Sequence, residues 1–173
     1  MNKARTIVVM PAYNAAKTIA DTYRDIPKDS FEEIIVVDDA STDNTIEVAR
    51  NLGLTVVTHS RNSGYGSNQK TCYREALRRK ADVVIMVHPD YQYDSSLIFE
   101  VIGPIQKDRF DIMFGSRIRT RKEALAGGMP YAKYIINRIV SLMENIILGV
   151  NFTEHFSGFR AYSKKVLTSL PIM

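Results

Sequence analysis

The sequence predicts a three-layer α/β/α fold around a mostly parallel, Rossmann-like sheet. Two observations predict it. Short runs such as Ile7-Val8-Val9-Met10 and Ile34-Ile35-Val36-Val37 are apolar at every position, so they are too apolar to face water on either side. Stretches with apolar residues at helical spacing separate these runs. Strands without polar alternation, interleaved with helices, are typical of a parallel sheet covered on both faces.

The elements follow one another with recognisable boundary signals. Pro11 ends the first strand, Ser41-Thr42-Asp43 offers N-cap residues for the second helix, and Gly53 is placed to end that helix. The predicted strands are residues 5–10, 34–37, 54–58, 83–87 and 110–114. The predicted helices are residues 15–26, 41–52, 67–80 and 95–106, the last of which contains Pro104.

Length and composition fit one globular domain, residues 1–173, with an end that is also consistent with a truncated domain. The net charge of +4 comes mostly from two basic clusters, which suit an anionic ligand, a membrane surface or simply a solvated face. They are Lys70, Arg74, Arg78, Arg79 and Lys80, and then Arg117, Arg119, Arg121 and Lys122. The second cluster lies in a predicted loop after a strand, which favours a functional role.

Several features bear on the compartment. The single cysteine, Cys72, excludes an internal disulfide and fits a reducing environment. We find no signal peptide before the first strand and no run of about 18 apolar residues. We therefore expect a cytoplasmic protein, with the cytoplasmic face of a membrane as an alternative, and no nucleic-acid partner.

Polar residues follow four of the predicted strands where each strand ends. They are Pro11-Ala12-Tyr13-Asn14, Asp38-Asp39, the segment 88–94 and Gly115-Ser116-Arg117. Parallel sheets bind ligands beyond the carboxyl ends of their strands, near a switch point. Convergence of these groups on one edge predicts an active site.

The segment after the fourth strand carries possible metal ligands at alternate positions, His88, Asp90 and Gln92. Mg²⁺ and Mn²⁺ prefer oxygen donors and share them with phosphates, so Asp90 is the predicted direct ligand. Gln92 offers a carbonyl oxygen. His88 either ligates the metal through a neutral nitrogen or makes a structural hydrogen bond.

Other groups suggest a nucleotide site. Tyr13 either stacks on a base or caps its strand. Asp38 and Asp39 either accept hydrogen bonds from a base edge and ribose hydroxyls or cap a helix. The chain lacks a Gly-x-Gly-x-x-Gly after strand one, a phosphate-binding Gly-x-x-x-x-Gly-Lys-Ser/Thr loop, a zinc spacing and a Gly-x-Ser-x-Gly elbow.

Residues 134–150 are largely apolar. One interpretation is a helix packed beside the sheet, and the alternative is contact with a membrane interface or a lipid acceptor.

Taken together, the motifs resemble those of the family 2 glycosyltransferases of GT-A fold, particularly the dolichyl- and polyprenyl-phosphate sugar synthases. They occur in the order typical of that family: Pro11-Ala12-Tyr13-Asn14, Val37-Asp38-Asp39-Ala40-Ser41-Thr42-Asp43, Asn62-Ser63-Gly64-Tyr65-Gly66, His88-Pro89-Asp90-Tyr91-Gln92, Gly115-Ser116-Arg117 and Ser157-Gly158-Phe159-Arg160. One departure is His88, where the family usually has an acidic residue.

The resemblance implies an inverting hexosyltransferase that moves a sugar from a nucleotide-diphosphate donor to a lipid-phosphate or saccharide acceptor with Mg²⁺ or Mn²⁺. The nucleotide would contact Pro11, Ala12, Tyr13, Asp38 and Asp39, and the metal would contact Asp90 with Gln92. The acceptor or phosphate side would be formed by Arg117, Ser157, Gly158 and Arg160.

A hydroxyl acceptor needs a general base, for which Glu154 is the candidate with His155 behind it, whereas an ionised lipid phosphate needs none. Arginines 117, 119, 121 and 160 would suit a phosphate. Two alternatives stay open. One is a nucleotide-sugar-binding module without turnover, and the other is a sugar-phosphate nucleotidyltransferase.

Overall fold

The computed structural model describes residues 4–116 and 130–172. In that part of the chain, six strands form one sheet in the order β3-β2-β1-β4-β6-β5. The strands are β1 (Thr6–Ala12), β2 (Glu33–Asp38), β3 (Thr55–Thr58), β4 (Val83–Met86), β5 (Ile112–Phe114) and β6 (Arg160–Ser163). The helices are α1 (Ile19–Asp25), α2 (Thr45–Asn51), α3 (Tyr65–Arg78), α4 (Ile98–Gln106), α5 (Tyr131–Leu148) and α6 (Lys164–Ser169), with a short 3₁₀ turn at Ser95–Leu97 before α4.

Strand β1 lies at the centre of a parallel arrangement. It pairs with β2 on one side and with β4 on the other, so Val9 lies opposite both Ile35 and Met86. The chain therefore crosses from β1 towards β2 and later returns to the opposite side of β1 to form β4. This reversal is a topological switch point, where α/β sheets place their ligands.

The sheet is buried on both faces, as the uninterrupted apolar strands predict. On one face Val8 and Met10 pack with residues of α1, α2 and α4. On the other face Ile7 and Val9 pack with residues of α3 and α6. The predicted three-layer α/β/α class with a mostly parallel sheet is confirmed.

The structure differs from the sequence prediction at several points. Strand β1 continues through Pro11 to Ala12, so the prediction that Pro11 ends the strand is wrong. Helix α1 begins at Ile19 rather than residue 15, and the backbone N–H of Ala15 before it donates to the hydroxyl of Thr45, the first residue of α2 (2.7 Å). Strand β6 was not predicted, since it is short and only Ala161 and Tyr162 are buried. It pairs antiparallel with β4.

The chain divides into two compact units, one formed by residues up to Met113 together with those from Phe159 onward, the other by residues 114–158. The second unit contains α5. Of the helices in the two described ranges, none is both long and apolar enough to span a bilayer.

Helix α5 exposes its apolar side chains. They recur at intervals of three and four residues, which places them on one face, and Ile146 and Ile147 are 74% and 76% exposed. Ser141 on the polar side is buried, and Glu144 is half-buried. The apolar face of α5 is therefore exposed in the structure.

Candidate active site

The loops after β1 and β2 are joined by side-chain hydrogen bonds. Asn14, with a φ of +51°, donates its backbone N–H to the Ser41 hydroxyl (2.8 Å). The Asn14 carboxamide oxygen accepts from the backbone N–H of Thr42 (2.8 Å). These contacts hold the loop after β1 against the loop after β2 at the carboxyl edge of the sheet.

The three predicted nucleotide contacts after β1 differ in accessibility. Pro11 and Ala12 lie inside β1, opposite Val37 and Asp38, and are buried. Tyr13 comes directly after the strand and is 53% exposed. Among these three side chains, Tyr13 is the one open to a ligand.

Asp38 points into the protein. Its carboxylate accepts from the Ser41 backbone N–H (2.9 Å) and from the Ser41 hydroxyl. Ala40 between them has a φ of +60°, as expected for a tight turn. These contacts fit the structural alternative for Asp38, because the side chain is fully buried.

Asp39 is also turned inward and is 3% exposed. Oδ1 accepts from the His59 imidazole (2.6 Å) and from the Ser63 backbone N–H (2.9 Å), and Oδ2 accepts from the Gly64 backbone N–H (2.9 Å). Burial alone would raise the pKa of this carboxyl. The hydrogen bonds from Ser63, His59 and Gly64 outweigh burial, so the pKa lies below its ordinary value.

The start of α3 reaches the end of β4 through Tyr65. Its hydroxyl lies 3.0 Å from Nε2 of His88 and accepts from the Gln69 carboxamide (2.5 Å). The His88 ring also lies 6.4 Å from the ring of Tyr93, which stacks on Phe159. The contact with Tyr65 fits the structural alternative for His88.

Asp90 lies on an exposed turn after β4. Its Oδ1 accepts from the backbone N–H of Gln92 (3.1 Å). The turn is held from the side of α1, because the Thr18 hydroxyl donates to the Pro89 carbonyl and the Tyr91 hydroxyl donates to Asp25 (2.5 Å). An exposed carboxylate is thus held in place at the switch point between β1 and β4.

The possible ligands at this turn suit a metal ion that is also bound by substrate phosphates. They suit less well a metal ion that is bound by protein side chains alone. Residues 4–116 and 130–172 contain no group of three or more His, Cys, Asp or Glu side chains that could hold a metal by themselves. Mg²⁺ is typically bound by one or two carboxylates together with substrate phosphates and water. One exposed carboxylate at Asp90 meets that requirement.

Arg160 was predicted on the phosphate side, and the structure places it close to this turn. It begins β6 and pairs with Met86, the last residue of β4. Partial desolvation of the Tyr65 hydroxyl raises the pKa of that phenol, and the positive charge of Arg160 opposes the rise. Arg160, Tyr65 and Asp90 therefore belong to one region of the same unit.

The other predicted acceptor residues either belong to the second unit or lie outside the described residues. Glu154 is 4% exposed, and Ser157 and Gly158 are also buried. His155 lies 2.8 Å from the Asn145 carboxamide oxygen. Arg117, Arg119 and Arg121 lie outside the described residues.

Sequence reasoning missed two residues that shape the site. Tyr65 lies within a family motif that assigns it no role, and His59 belongs to none of the motifs. Each residue occupies a position at a strand or helix end, which is the signal that could have drawn attention to it.

A mostly parallel α/β sheet with exposed polar side chains at its switch point is the architecture of α/β folds that bind ligands at that edge. The model for "Glycosyl transferase family 2" matches residues 7–170. The chain therefore belongs to glycosyl transferase family 2. The predicted glycosyltransferase class is confirmed.

Related sequences support this assignment. An uncharacterized protein of Methanocaldococcus jannaschii is 32% identical over 174 residues, which cover 98% of this chain and 71% of the relative. A UDP-N-acetylglucosamine–dolichyl-phosphate N-acetylglucosaminyltransferase of Methanococcus voltae is 29% identical, with 94% of this chain and 71% of the relative covered. An undecaprenyl-phosphate mannosyltransferase of Micrococcus luteus is 26% identical, with 97% and 70% covered.

A solved structure shows the same fold. Glucosyl-3-phosphoglycerate synthase from Mycobacterium tuberculosis, in complex with Mn²⁺, UDP and phosphoglyceric acid, has a TM-score of 0.73 at 22% identity. The match covers 97% of this chain and 58% of that structure, so the chain spans little more than half of its length. The predicted GT-A fold is confirmed.

Proposed function

We propose that the protein is a metal-dependent, inverting glycosyltransferase that moves a sugar from a nucleotide-diphosphate donor to a polyprenyl phosphate. The observation that carries the proposal is the exposed Asp90 carboxylate at the switch point of the sheet. Asp90, with the carbonyl oxygen of Gln92, would hold Mg²⁺ or Mn²⁺ against the donor diphosphate. The cation, when bound, supplies positive charge that stabilises the departing diphosphate.

The protein's own groups would bind and orient the donor around that turn. The exposed ring of Tyr13 would stack on the base. Asp39 keeps about one acceptor position after its three internal hydrogen bonds, which suits a single N–H or O–H of the nucleoside. Arg160 beside the end of β4 would pair with a phosphate.

A lipid phosphate is the acceptor that best fits these groups. The named relatives of Methanococcus voltae and Micrococcus luteus act on dolichyl phosphate and undecaprenyl phosphate by their names. An ionised phosphate oxygen would attack the anomeric carbon directly while the bond to the diphosphate breaks. Such an acceptor needs no general base, which agrees with the burial of Glu154.

The exposed face of α5 supports a site of action at a membrane surface. Seven apolar side chains form this face: Ile135, Ile136, Ile139, Leu142, Met143, Ile146 and Ile147. Amphipathic helices bind membranes through such a face, and cations beside it attract anionic lipids. Exposed Lys133 and Arg138 stand on the two sides of the apolar face.

Product analysis tests the reaction. With UDP- or GDP-sugars, Mn²⁺ and a short polyprenyl phosphate, we expect a glycosylated lipid phosphate and free nucleoside diphosphate. Pyrophosphate formed from a nucleoside triphosphate and a sugar phosphate would instead indicate a nucleotidyltransferase.

The alternative is a nucleotide-sugar-binding module without turnover. It is favoured by the hydrogen bond between Tyr65 and Nε2 of His88, which occupies one candidate metal ligand. Donor binding by calorimetry, without hydrolysis or transfer to any tested acceptor, would support that alternative and contradict the proposed turnover.

Vesicle flotation tests the membrane face separately from the reaction. We expect binding to vesicles that contain phosphatidylglycerol and no polyprenyl phosphate, with a strong loss in an Ile139→Glu/Ile146→Glu variant. Leu170→Glu is the matched control, because Leu170 is an exposed apolar residue of the other unit. Equal flotation of all three proteins would contradict the assignment of this face.

A further inference from the structure

The imidazole of His59 connects the ends of two strands with a helix. His59 directly follows β3, and its backbone N–H donates to the Asp38 carbonyl (2.9 Å). In the side chain, Nδ1 lies 2.6 Å from Oδ1 of Asp39, and Nε2 lies 3.0 Å from the hydroxyl of Thr71 on α3. The side chain is 15% exposed, so the ring is held on both sides within the protein.

The chemistry of the partners fixes the direction of these hydrogen bonds. An ionised carboxylate only accepts, so Nδ1 of His59 carries the proton that faces Asp39. In the neutral ring Nε2 then accepts from the Thr71 hydroxyl. Thr71 and Asp39 therefore fix together how the ring is turned, and the ring is one of three donors that hold the Asp39 carboxylate.

Asp39 in turn holds the loop that begins α3. Its oxygens accept from the backbone N–H groups of Ser63 and Gly64. Gly64 has a φ of +84° and is the N-cap residue of α3. A carboxylate has about four acceptor positions, so these two donors and His59 leave about one for a ligand.

We propose that His59 is a positioning residue for nucleotide binding, which holds the Asp39 carboxylate so that its remaining acceptor position serves the nucleoside. This inference rests on the proposed function, because it assigns Asp39 to the nucleotide. Thr71 then acts indirectly, because its hydrogen bond helps to orient the His59 imidazole. His59 itself need not touch the donor.

Three variants separate positioning from a general structural effect. His59→Ala removes both side-chain hydrogen bonds. His59→Asn keeps an amide N–H near the place of Nδ1 and so preserves the bond to Asp39. Thr71→Val keeps that bond but removes the partner that orients the ring.

Calorimetry in the presence of Mn²⁺ measures the effect on binding. The probes are UDP or GDP, whichever binds the unaltered protein more tightly, and pyrophosphate alone. We expect His59→Ala to weaken nucleoside diphosphate binding about tenfold, which is typical for loss of a hydrogen bond to a charged group. Pyrophosphate binding is expected to stay unchanged, His59→Asn to restore most of the affinity, and Thr71→Val to have an intermediate effect.

Two results would overturn the proposal. One is nucleoside diphosphate affinity within twofold of the unaltered protein in His59→Ala. The other is an equal loss for pyrophosphate and nucleoside diphosphate, which would show that the site has loosened as a whole. If His59→Ala does not fold, the same comparison is made between Thr71→Val and the unaltered protein.

Hydrogen–deuterium exchange tests the positioning without any ligand. We expect faster exchange at the amides of Ser63 and Gly64 in His59→Ala, near-normal exchange in His59→Asn, and no change at Val9 in the central strand. Unchanged exchange at Ser63 and Gly64 would overturn the role of His59. If the unaltered protein binds none of UDP, GDP, ADP, CDP and dTDP, the proposed function fails, and the exchange result still decides whether His59 holds Asp39.

Discussion

Replacement of Asp39 by asparagine should destabilise the protein strongly although the two side chains have nearly the same shape. The Asp39 carboxylate is almost fully buried and accepts from His59, Ser63 and Gly64. An asparagine offers one oxygen instead of two, and its amide nitrogen is a donor. In every orientation at least one of the three donors would therefore face another donor.

The structure allows the size of this effect to be worked out. With the asparagine oxygen placed at the position of Oδ1, the bonds from His59 and Ser63 remain but lose their charged partner. The bond from Gly64 is lost, although the Asn62 carboxamide oxygen at 3.0 Å still accepts from that N–H. A lost charged hydrogen bond and two weakened ones should lower the free energy of unfolding by about 2 to 4 kcal/mol. For a chain of 173 residues this corresponds to a decrease in Tm of about 5 to 15 °C.

Urea denaturation and calorimetry of Asp39→Asn measure this loss. Asp90→Asn is the matched control, because Asp90 is exposed and its replacement should change the free energy of unfolding by no more than about 0.5 kcal/mol. A Tm for Asp39→Asn within 2 °C of the unaltered protein, with 2 °C taken as roughly the shift that 0.5 kcal/mol produces, would refute the reasoning. The Asp39 carboxylate would then contribute little to holding the loop.

Two further predictions follow from buried titratable groups. The lowered pKa of the Asp39 carboxyl means that its contribution to stability is present above its ordinary value of 3.8 and is lost as the pH falls through the lowered value. The difference in the free energy of unfolding between the unaltered protein and Asp39→Asn should therefore be full at pH 6 and shrink below pH 4, as urea titrations at each pH would show; a constant difference would contradict this. Burial raises the pKa of the Cys72 thiol, so a disulfide reagent should label Cys72 only when urea unfolds the protein, and rapid labelling without urea would contradict its burial.

The strands and their burial could be predicted from the sequence because short apolar runs bounded by turn residues are typical of strands that are buried on both faces. The runs at residues 7–10 and 34–37 lie in the centre of the sheet and are packed from both sides. The place of Asp90 on a turn after β4 could be predicted as well, since the polar segment 88–94 comes after the apolar run at residues 83–87. Local pattern was sufficient in these cases.

The directions of the acidic side chains could not be predicted. Asp38 and Asp39 follow β2 as paired acids, and the sequence left open whether they face a ligand. The Asp38 carboxylate is held by Ser41, three residues along the chain. The Asp39 carboxylate is held by the amide groups of Ser63 and Gly64, which lie 24 and 25 residues further along. Such contacts depend on how the loop after β3 returns to β2.

The exposure of the apolar face of helix α5 could not be predicted from the sequence either. Its periodicity is visible in the sequence, and periodicity shows that the apolar residues share one face. Periodicity does not show whether that face is buried or exposed. Ile146 and Ile147 are exposed in the structure, and this exposure cannot be derived from their spacing.

The central claim is that Asp90 and a nucleoside diphosphate share one divalent cation at the switch point of the sheet. The most direct measurement is the shift in Tm that UDP or GDP produces with Mn²⁺ and after chelation, in the unaltered protein and in Asp90→Asn. We predict a clear stabilisation that requires both Mn²⁺ and the Asp90 carboxylate. A shift of the same size after chelation, or in Asp90→Asn with Mn²⁺, would contradict the claim.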